Sequence, residues 1–478
     1  MAYDSKNQQP ARRVAADLLN QFDPKKQTLK ETLPKFLATT GERNVLMDIA
    51  FGIIRNRELI DTIIETIADV RIDHIQKKLL TIVRIGVYEM VFTPDRAEYA
   101  IVDAAVEEAK RTGGKKPAGF VNGILRNILR NIKKRSVRWV ARPGWQPPRV
   151  DDSLAVEAIT YPTGTVIQNA QTCCEFTKAI LPDPKNDPAS YLSTMFSLPQ
   201  WLVEEWCSEF GCEQTRGICI ASNRRPGVYV RPNTLKTTPQ KLFELLKNSG
   251  IDCTLIAEHE MIQLRNAGDV TLLPGFDEGL FVVQDLTASS AVKMLAPQPG
   301  QTVLDMCAAP GTKTAQLAEL MADNGTIFAT DIDQMRLNRV ETGCNRLQIR
   351  SIRTIPFANL TKTFENKRCD AVLLDVPCSN TGVLARRPEV RYRITPSAIK
   401  ELTRTQSALL TRAAEFIKHG GKICYSTCSL QKQENSDVVQ QFLAHNSRFV
   451  LLQEKLSLPS AGEIDHDGGY AAVLQKNS

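Results

Sequence analysis

Apolar residues recur at helical spacing through the first 140 residues of the chain. Ala15, Leu18, Leu19 and Phe22 form one stripe, Leu46, Ile49, Ile53 and Ile54 a second, and Ile60, Ile63 and Ile64 a third. In FVNGILRNILRNIKKR, the residues Val121, Ile124, Leu125, Ile128, Leu129 and Ile132 lie along one side. Arg126, Arg130, Lys133 and Lys134 lie off it, the pattern of an amphipathic helix docked on a bundle with its cations outward. No strand pattern interrupts this region, so residues 1–140 are expected to be an all-helical domain.

The pattern then changes twice. Residues 141–190 hold two proline-rich stretches, RPGWQPPRV and LPDPKNDPAS, and are expected to be a linker; QNAQTCCEFTKAIL between them fits one helix. Residues 191–285 are expected to form a small α+β subdomain. LPQWLVEEWCSEFG and TPQKLFELLKNSG are its helices, each stopped by glycine, and GVYVRPN, DCTLI and MIQLRN are its strands. From residue 286 to the end, near-continuous apolar strands (TVLDM, GTIFATDID, SIRTIPF, DAVLLDV and GGKICYSTC) alternate with helical stretches, and FVLLQEKL and YAAVLQK close the chain. Strands of that kind are covered on both faces, which predicts a parallel, doubly wound α/β sheet. Ligands of such sheets sit at the carboxyl ends of the strands.

Charge sharpens the picture in one place. Residues 111–150 carry 11 Lys and Arg and no Asp or Glu, so the net charge of +7 is concentrated there. A local basic surface suits a phosphate backbone, although a solvated helix face gives the same count. No apolar run is long enough to span a membrane, and the first residues, MAYDSKNQQPARR, lack the apolar core of a signal peptide. The 12 cysteines show no paired C-x-x-C spacing, which argues against a zinc site or a disulfide scaffold. A reducing cytoplasm, no membrane and a monomer are the expectations.

The chemistry gathers at the strand ends. After TVLDM, the small residues Ala308, Ala309 and Gly311 let a ligand approach the backbone just before a helix. The spacing matches neither a dinucleotide fingerprint nor a P-loop. Asp331, ending the next strand, could accept both hydroxyls of a ribose, or simply cap the helix that follows. Cys378 and Cys428 each follow a strand into a polar turn, whereas Cys424 sits among apolar residues as a packed thiol would. A cofactor, two thiols and an acid suit methylation at carbon 5 of cytosine. A thiolate adding to carbon 6 turns the ring into an enamine that can attack an electrophilic methyl group. An acid near ring nitrogen 3 assists, and a second group helps eliminate the first thiol. Spacing does not say which cysteine does which.

Longer motifs carry a resemblance. VQDLTASSAVKML, VLDMCAAPGTKTAQLAEL, ATDID, LLDVPCSNTGVLARRPEVRYR, YSTCSLQKQEN and DGGYAAVLQK, in this order, make the chain from about residue 225 onward resemble the RNA (cytosine-5) methyltransferases of the Sun/Fmu (NOL1/NOP2/Sun) family. The helical N-terminal region resembles the NusB-like RNA-binding domain, and the pairing implies the bacterial, RsmB-type enzyme for 16S ribosomal RNA. The resemblance implies a Rossmann-like methyltransferase domain using S-adenosyl-L-methionine. It implies Cys428 as the nucleophile, Cys378 as an aid to product release, and Asp375 as a contact to the base and to the cofactor. Cys307, Ala308, Ala309, Pro310, Gly311, Thr312, Lys313 and Asp331 would hold the cofactor, with Lys313 reaching it or the active-site carboxylates.

Three positions depart from the family pattern. Thr312 and Asn380 stand where the pattern usually has glycine, and Asn359 stands where an Asp normally meets adenine; an amide can still hydrogen-bond adenine, so Asn359 is expected to bind the cofactor with altered affinity. Arg386, Arg387, Arg391 and Arg393, just after Cys378, are expected to grip flanking phosphates. The rival functions are the same chemistry on transfer RNA, and a non-catalytic RNA-binding or ribosome-assembly factor whose α/β domain is only a scaffold.

Overall fold

The computed structural model describes residues 8–138, 163–169, 171–265, 268–365 and 368–477. The chain divides into two compact units, residues 1–224 with 387–393, and residues 225–386 with 394–478.

The first unit opens with seven helices between Ala11 and Asn131. Their apolar stripes meet as the spacing requires: Leu18, Leu46, Ile49, Ile60, Ile63, Ile64, Val121, Leu125 and Ile128 are all buried. The expectation of helix through residue 140 fails at its end. Ile132–Arg138 is a strand, β1, in a three-stranded antiparallel sheet ordered β1-β3-β2 with β2 (Thr165–Ile167) and β3 (Thr172–Phe176). The stretch read as one helix, QNAQTCCEFTKAIL, therefore contains β3, which buries Cys173, Cys174 and Phe176. RPGWQPPRV lies outside the described residues. Helices Pro188–Phe196 and Gln200–Asn223 complete this part; Gly211 breaks the second with φ 77° and ψ 154°.

Residues 387–393 return to this unit from far along the sequence. Tyr392 donates from its hydroxyl to the Ile54 carbonyl at 2.5 Å. Arg391, only 3% exposed, donates to the carbonyls of Arg55 (2.5 Å), Phe196 (3.0 Å) and Ser222 (3.2 Å) and to Asn223 Oδ1 (2.9 Å).

The second unit contains two sheets. A four-stranded antiparallel sheet has the order β5-β6-β4-β7, with β4 Val228–Pro232, β5 Cys253–Ile256, β6 Met261–Leu264 and β7 Phe281–Val283. The larger sheet has seven strands: β8 Thr302–Asp305, β9 Thr326–Ala329, β10 Ile352–Thr354, β11 Cys369–Asp375, β12 Ile417–Thr427, β13 Phe449–Ser457 and β14 Gly469–Lys476. Their order is β10-β9-β8-β11-β12-β14-β13; all neighbours are parallel except at β14, which is antiparallel to β12 and β13.

Alternation along β11 shows why the strands read as unbroken apolar runs. Ala371 and Leu373 pack on one face with helices Leu286–Leu295 and Thr312–Leu320, while Val372 and Leu374 pack on the other with Pro396–Phe416 and Ser436–His445. The sheet is doubly wound as expected. Its order reverses between β8 and β11, so the carboxyl ends of those two strands flank the crevice where such folds bind ligands.

Candidate active site

β8 delivers Asp305, 1% exposed, whose Oδ2 accepts from the Thr314 hydroxyl at 2.8 Å. Burial pushes its carboxyl up to about 7; the Thr314 hydrogen bond opposes the rise and neighbouring Asp375 adds to it. The sequence reading passed over Asp305, although an acid ending the buried strand TVLD was signal enough. The turn that follows needs Gly311, which has φ 102° and would place a Cβ 3.2 Å from Val340 Cα. Ala308 and Ala309 are buried against helix Gln334–Leu347, Cys307 is half-buried, and Pro310 is exposed. Thr312 begins the next helix, which explains why glycine is not required there.

Asp331, 4% exposed, directs Oδ2 to the Ala309 amide at 3.3 Å and Oδ1 to the Asp333 amide at 3.1 Å, and pairs with Arg336 at 3.4 Å. Capping falls instead to Asp333, which accepts from the Met335 and Arg336 amides. Asp331 therefore faces the Ala308–Gly311 turn. Asn359 stands exposed in the single turn Phe357–Asn359 after β10.

The next two strands deliver the acid and the thiols. Register pairs Asp375 with Ser426, and the Ser426 hydroxyl donates to Asp375 Oδ1 at 2.8 Å. Lys313 forms an ion pair with the same carboxylate and lies 3.5 Å from Ser426 Oγ. Burial works against the Lys313 charge, but Asp375 outweighs it and raises the ammonium above its ordinary value. Beyond the strand ends, Cys378 Sγ and Cys428 Sγ lie 3.2 Å apart. The hydrogen bond to Cys428, then burial, push the Cys378 thiol well up. Cys424, by contrast, is a packed core thiol raised by burial to about 12.

Asn380 has φ 63°, a left-handed conformation that Asn tolerates and that glycine adopts freely. Its Oδ1 accepts from Cys428 Sγ at 3.3 Å, and its Nδ2 donates to the Cys378 carbonyl at 2.7 Å. An open cleft lined by Thr287, Ser290, Lys313, Ser426, Cys428 and Gly469 reaches Cys428. Cys378 is buried and does not line it.

Two of the four arginines expected to grip phosphates are committed elsewhere. Arg386 pairs with Asp285 at 2.9 Å and with Asp467, and donates to the Gly227 carbonyl. Arg391 is the buried carbonyl-binding residue described above. Arg387 is exposed and Arg393 half-buried.

The loop after β8 also tests a cofactor. Asp331 accepts from the Ala309 amide, Asp305 accepts from the Thr314 hydroxyl and Asp375 pairs with Lys313, so three acids border one turn of small residues; burial first, and then these acids, raise the Cys307 thiol. That set fits a cationic ligand with ribose hydroxyls, as S-adenosylmethionine is.

A doubly wound sheet with such a turn after β8 and an acid after β9 defines a methyltransferase fold. A sequence profile described as "16S rRNA methyltransferase RsmB/F" matches residues 292–471, one for the NusB family matches 9–130, and one for the ferredoxin-like domain of the RsmF/B-like methyltransferases matches 198–271. The "Probable ribosomal RNA small subunit methyltransferase B" of Synechocystis is 31% identical over 87% of this chain and 84% of its own length. The "Ribosomal RNA small subunit methyltransferase B" of Escherichia coli O1:K1 is 28% identical over 98% of this chain and all of its own. Among solved structures, PH0851 shares the fold at a TM-score of 0.71 and 24% identity over 98% of this chain and 99% of that one. A methyltransferase homolog protein from Pyrococcus horikoshii gives 0.54 and 27% over 61% of this chain and 99% of that one. The chain belongs to the 16S rRNA methyltransferase RsmB/F family and is a methyltransferase.

Proposed function

We propose that the protein methylates carbon 5 of a cytosine in small-subunit ribosomal RNA, in the cytoplasm, through a covalent adduct between Cys428 and carbon 6 of the base. The observation that carries this reading is the pair of thiols 3.2 Å apart at the ends of two neighbouring strands, of which only Cys428 lines the cleft.

The Ala308–Gly311 turn, Asp331, Lys313 and Asp375 would hold S-adenosylmethionine, which supplies an activated methyl group when bound. Cys428 as thiolate attacks carbon 6 of a base lifted out of its stack. Asp375 faces the ring as an acceptor for its amino group, and Lys313 beside it is a proton source for ring nitrogen 3. Once the methyl group is on carbon 5, water takes up the proton there, the electrons of that C–H bond restore the carbon 5–carbon 6 double bond, and the Cys428–carbon 6 bond breaks with its electron pair returning to sulfur. Cys378, held as a thiol against Cys428, assists that release. The helical N-terminal region, with its basic segment, would bind the RNA.

The test is the Cys378→Ala variant expressed in cells. Release should stall, leaving RNA attached through Cys428, and the adduct should vanish in Cys378→Ala/Cys428→Ala. Sequencing the trapped RNA would name the target. A wild type that methylates RNA while Cys378→Ala traps none would overturn the thiol roles.

A further inference from the structure

Glu434 is fully buried in the polar run Gln431–Asn435 that follows Cys428. Its carboxylate meets four donors. Oε1 accepts from the Ser379 amide at 2.8 Å and from Gln406 Nε2 at 3.0 Å; Oε2 accepts from the Ser429 hydroxyl at 2.5 Å and from the Ser379 hydroxyl. Four donors fill the four acceptor directions of one carboxylate. Ser379 is the residue after Cys378, and Ser429 is the residue after Cys428. One side chain thus ties together the two turns that carry the thiols.

The surrounding bonds tighten the same arrangement. Gln406 also donates to the Pro377 carbonyl at 3.0 Å, just before Cys378. Asn435 accepts from the Thr427 hydroxyl at 2.6 Å and donates to the Ser429 carbonyl at 3.0 Å, bracketing Cys428 on both sides. Burying a carboxylate is costly, and an apolar side chain would fill the same volume more cheaply. What an apolar side chain could not supply is the four-way acceptor and a negative charge beside Cys378.

We propose that Glu434 is a positioning residue for the thiol pair: by tying Ser379 to Ser429 it fixes the separation of Cys378 and Cys428. This rests on the two-thiol reading above. The charge of Glu434 acts on Cys378 in the same direction as the hydrogen bond to Cys428 and burial.

The experiment uses the full chain with Glu434→Gln and Glu434→Asp, without RNA or cofactor. Each protein is equilibrated with glutathione. Cys378 and Cys428 give up two electrons and two protons to one oxidised glutathione, forming their disulfide and two reduced glutathiones. The equilibrium reports the effective concentration of one thiol at the other. Glu434→Gln should lower it tenfold or more, with partial recovery in Glu434→Asp. A folded Glu434→Gln with that concentration unchanged overturns the proposal. Should Glu434→Gln fail to fold, Ser379→Ala removes one hydroxyl from the carboxylate and should lower the effective concentration about threefold; an unchanged value overturns the proposal equally. Methyl transfer to ribosomal RNA by wild type is measured separately, so a failed clamp and a failed reaction scheme give different results. Where transfer occurs, Glu434→Gln should lower kcat and leave KM for RNA within about twofold.

Discussion

Lys313 and Asp375 meet as an ion pair although they leave the sheet on different strands, Lys313 after β8 and Asp375 at the end of β11. The strands are parallel neighbours, with Val303 beside Ala371 and Asp305 beside Leu373. The pair therefore sits across the point where the sheet order reverses. On the proposed scheme one cation, in the first turn of the helix Thr312–Leu320, serves both the cofactor and the acid that meets the base.

Lys313→Met should separate these two duties. Asp375 keeps its Ser426 hydrogen bond but loses its charge partner beside Asp305. The pair is neither exposed nor fully buried, so the stability loss should be about 1–3 kcal/mol. Methyl transfer to ribosomal RNA should fall at least a hundredfold in a single-turnover assay. Near-normal transfer would mean that Lys313 serves only the fold.

Asp305 makes stability depend on pH. Its folded value is about 7, against about 4 for an unfolded aspartate. Between those values the folded state holds a proton that the unfolded state has released, so this group subtracts stability as pH rises from about 4 to about 7. Above that window the subtraction is complete, with an upper bound of about 4 kcal/mol. Asp305→Asn does not titrate, so its melting temperature should gain on wild type between pH 5 and pH 8. Parallel melting curves for the two proteins would refute the buried-acid assignment.

Arg391 and a true phosphate contact should respond differently to substitution. Arg391→Met removes a donor from four backbone carbonyls and should cost about 3–5 kcal/mol in chemical denaturation. The slope of log affinity for RNA against log salt should not change at a temperature where the variant is folded. A slope shallower by about one would return Arg391 to the phosphates.

The two thiols should differ in access. Iodoacetamide on the native protein should label Cys428, which lines the cleft, well before the buried Cys378. Peptide mass spectrometry reads both sites. Faster labelling of Cys378 would reverse the assignment of nucleophile and assistant.

The parts that could be read from sequence are those where burial sets the residue pattern. The α/β alternation was legible because β8, β11 and β12 are covered on both faces, and the helical stripes at residues 15–22, 46–54, 60–64 and 121–132 because each is buried along one side. β1 was not, since Lys133, Lys134 and Ser136 in it stay exposed and its partners arrive from residues 172–176. Hydrogen-bond pairing, not an apolar face, makes that segment a strand. Arg391 failed for a related reason. A run of arginines beside an active-site turn looks basic and open; only carbonyls of residues 55, 196 and 222 decide that this one is buried. Glu434 lies in QKQEN, which reads as solvated until Ser379, Gln406 and Ser429 are brought to it.

The returning segment 387–393 also sets an order of events during synthesis. Residues 1–224 leave the ribosome first, and their helices can pair as they emerge. The carbonyls of Arg55, Phe196 and Ser222 then wait for a donor that has not yet been made. At roughly 5–20 residues per second, Arg391 follows on the order of ten to thirty seconds later. The first part of the chain to be made is therefore not the first to be finished: its interior closes only when β8 and β11, the strands that lead to Cys307 and Cys378, already exist.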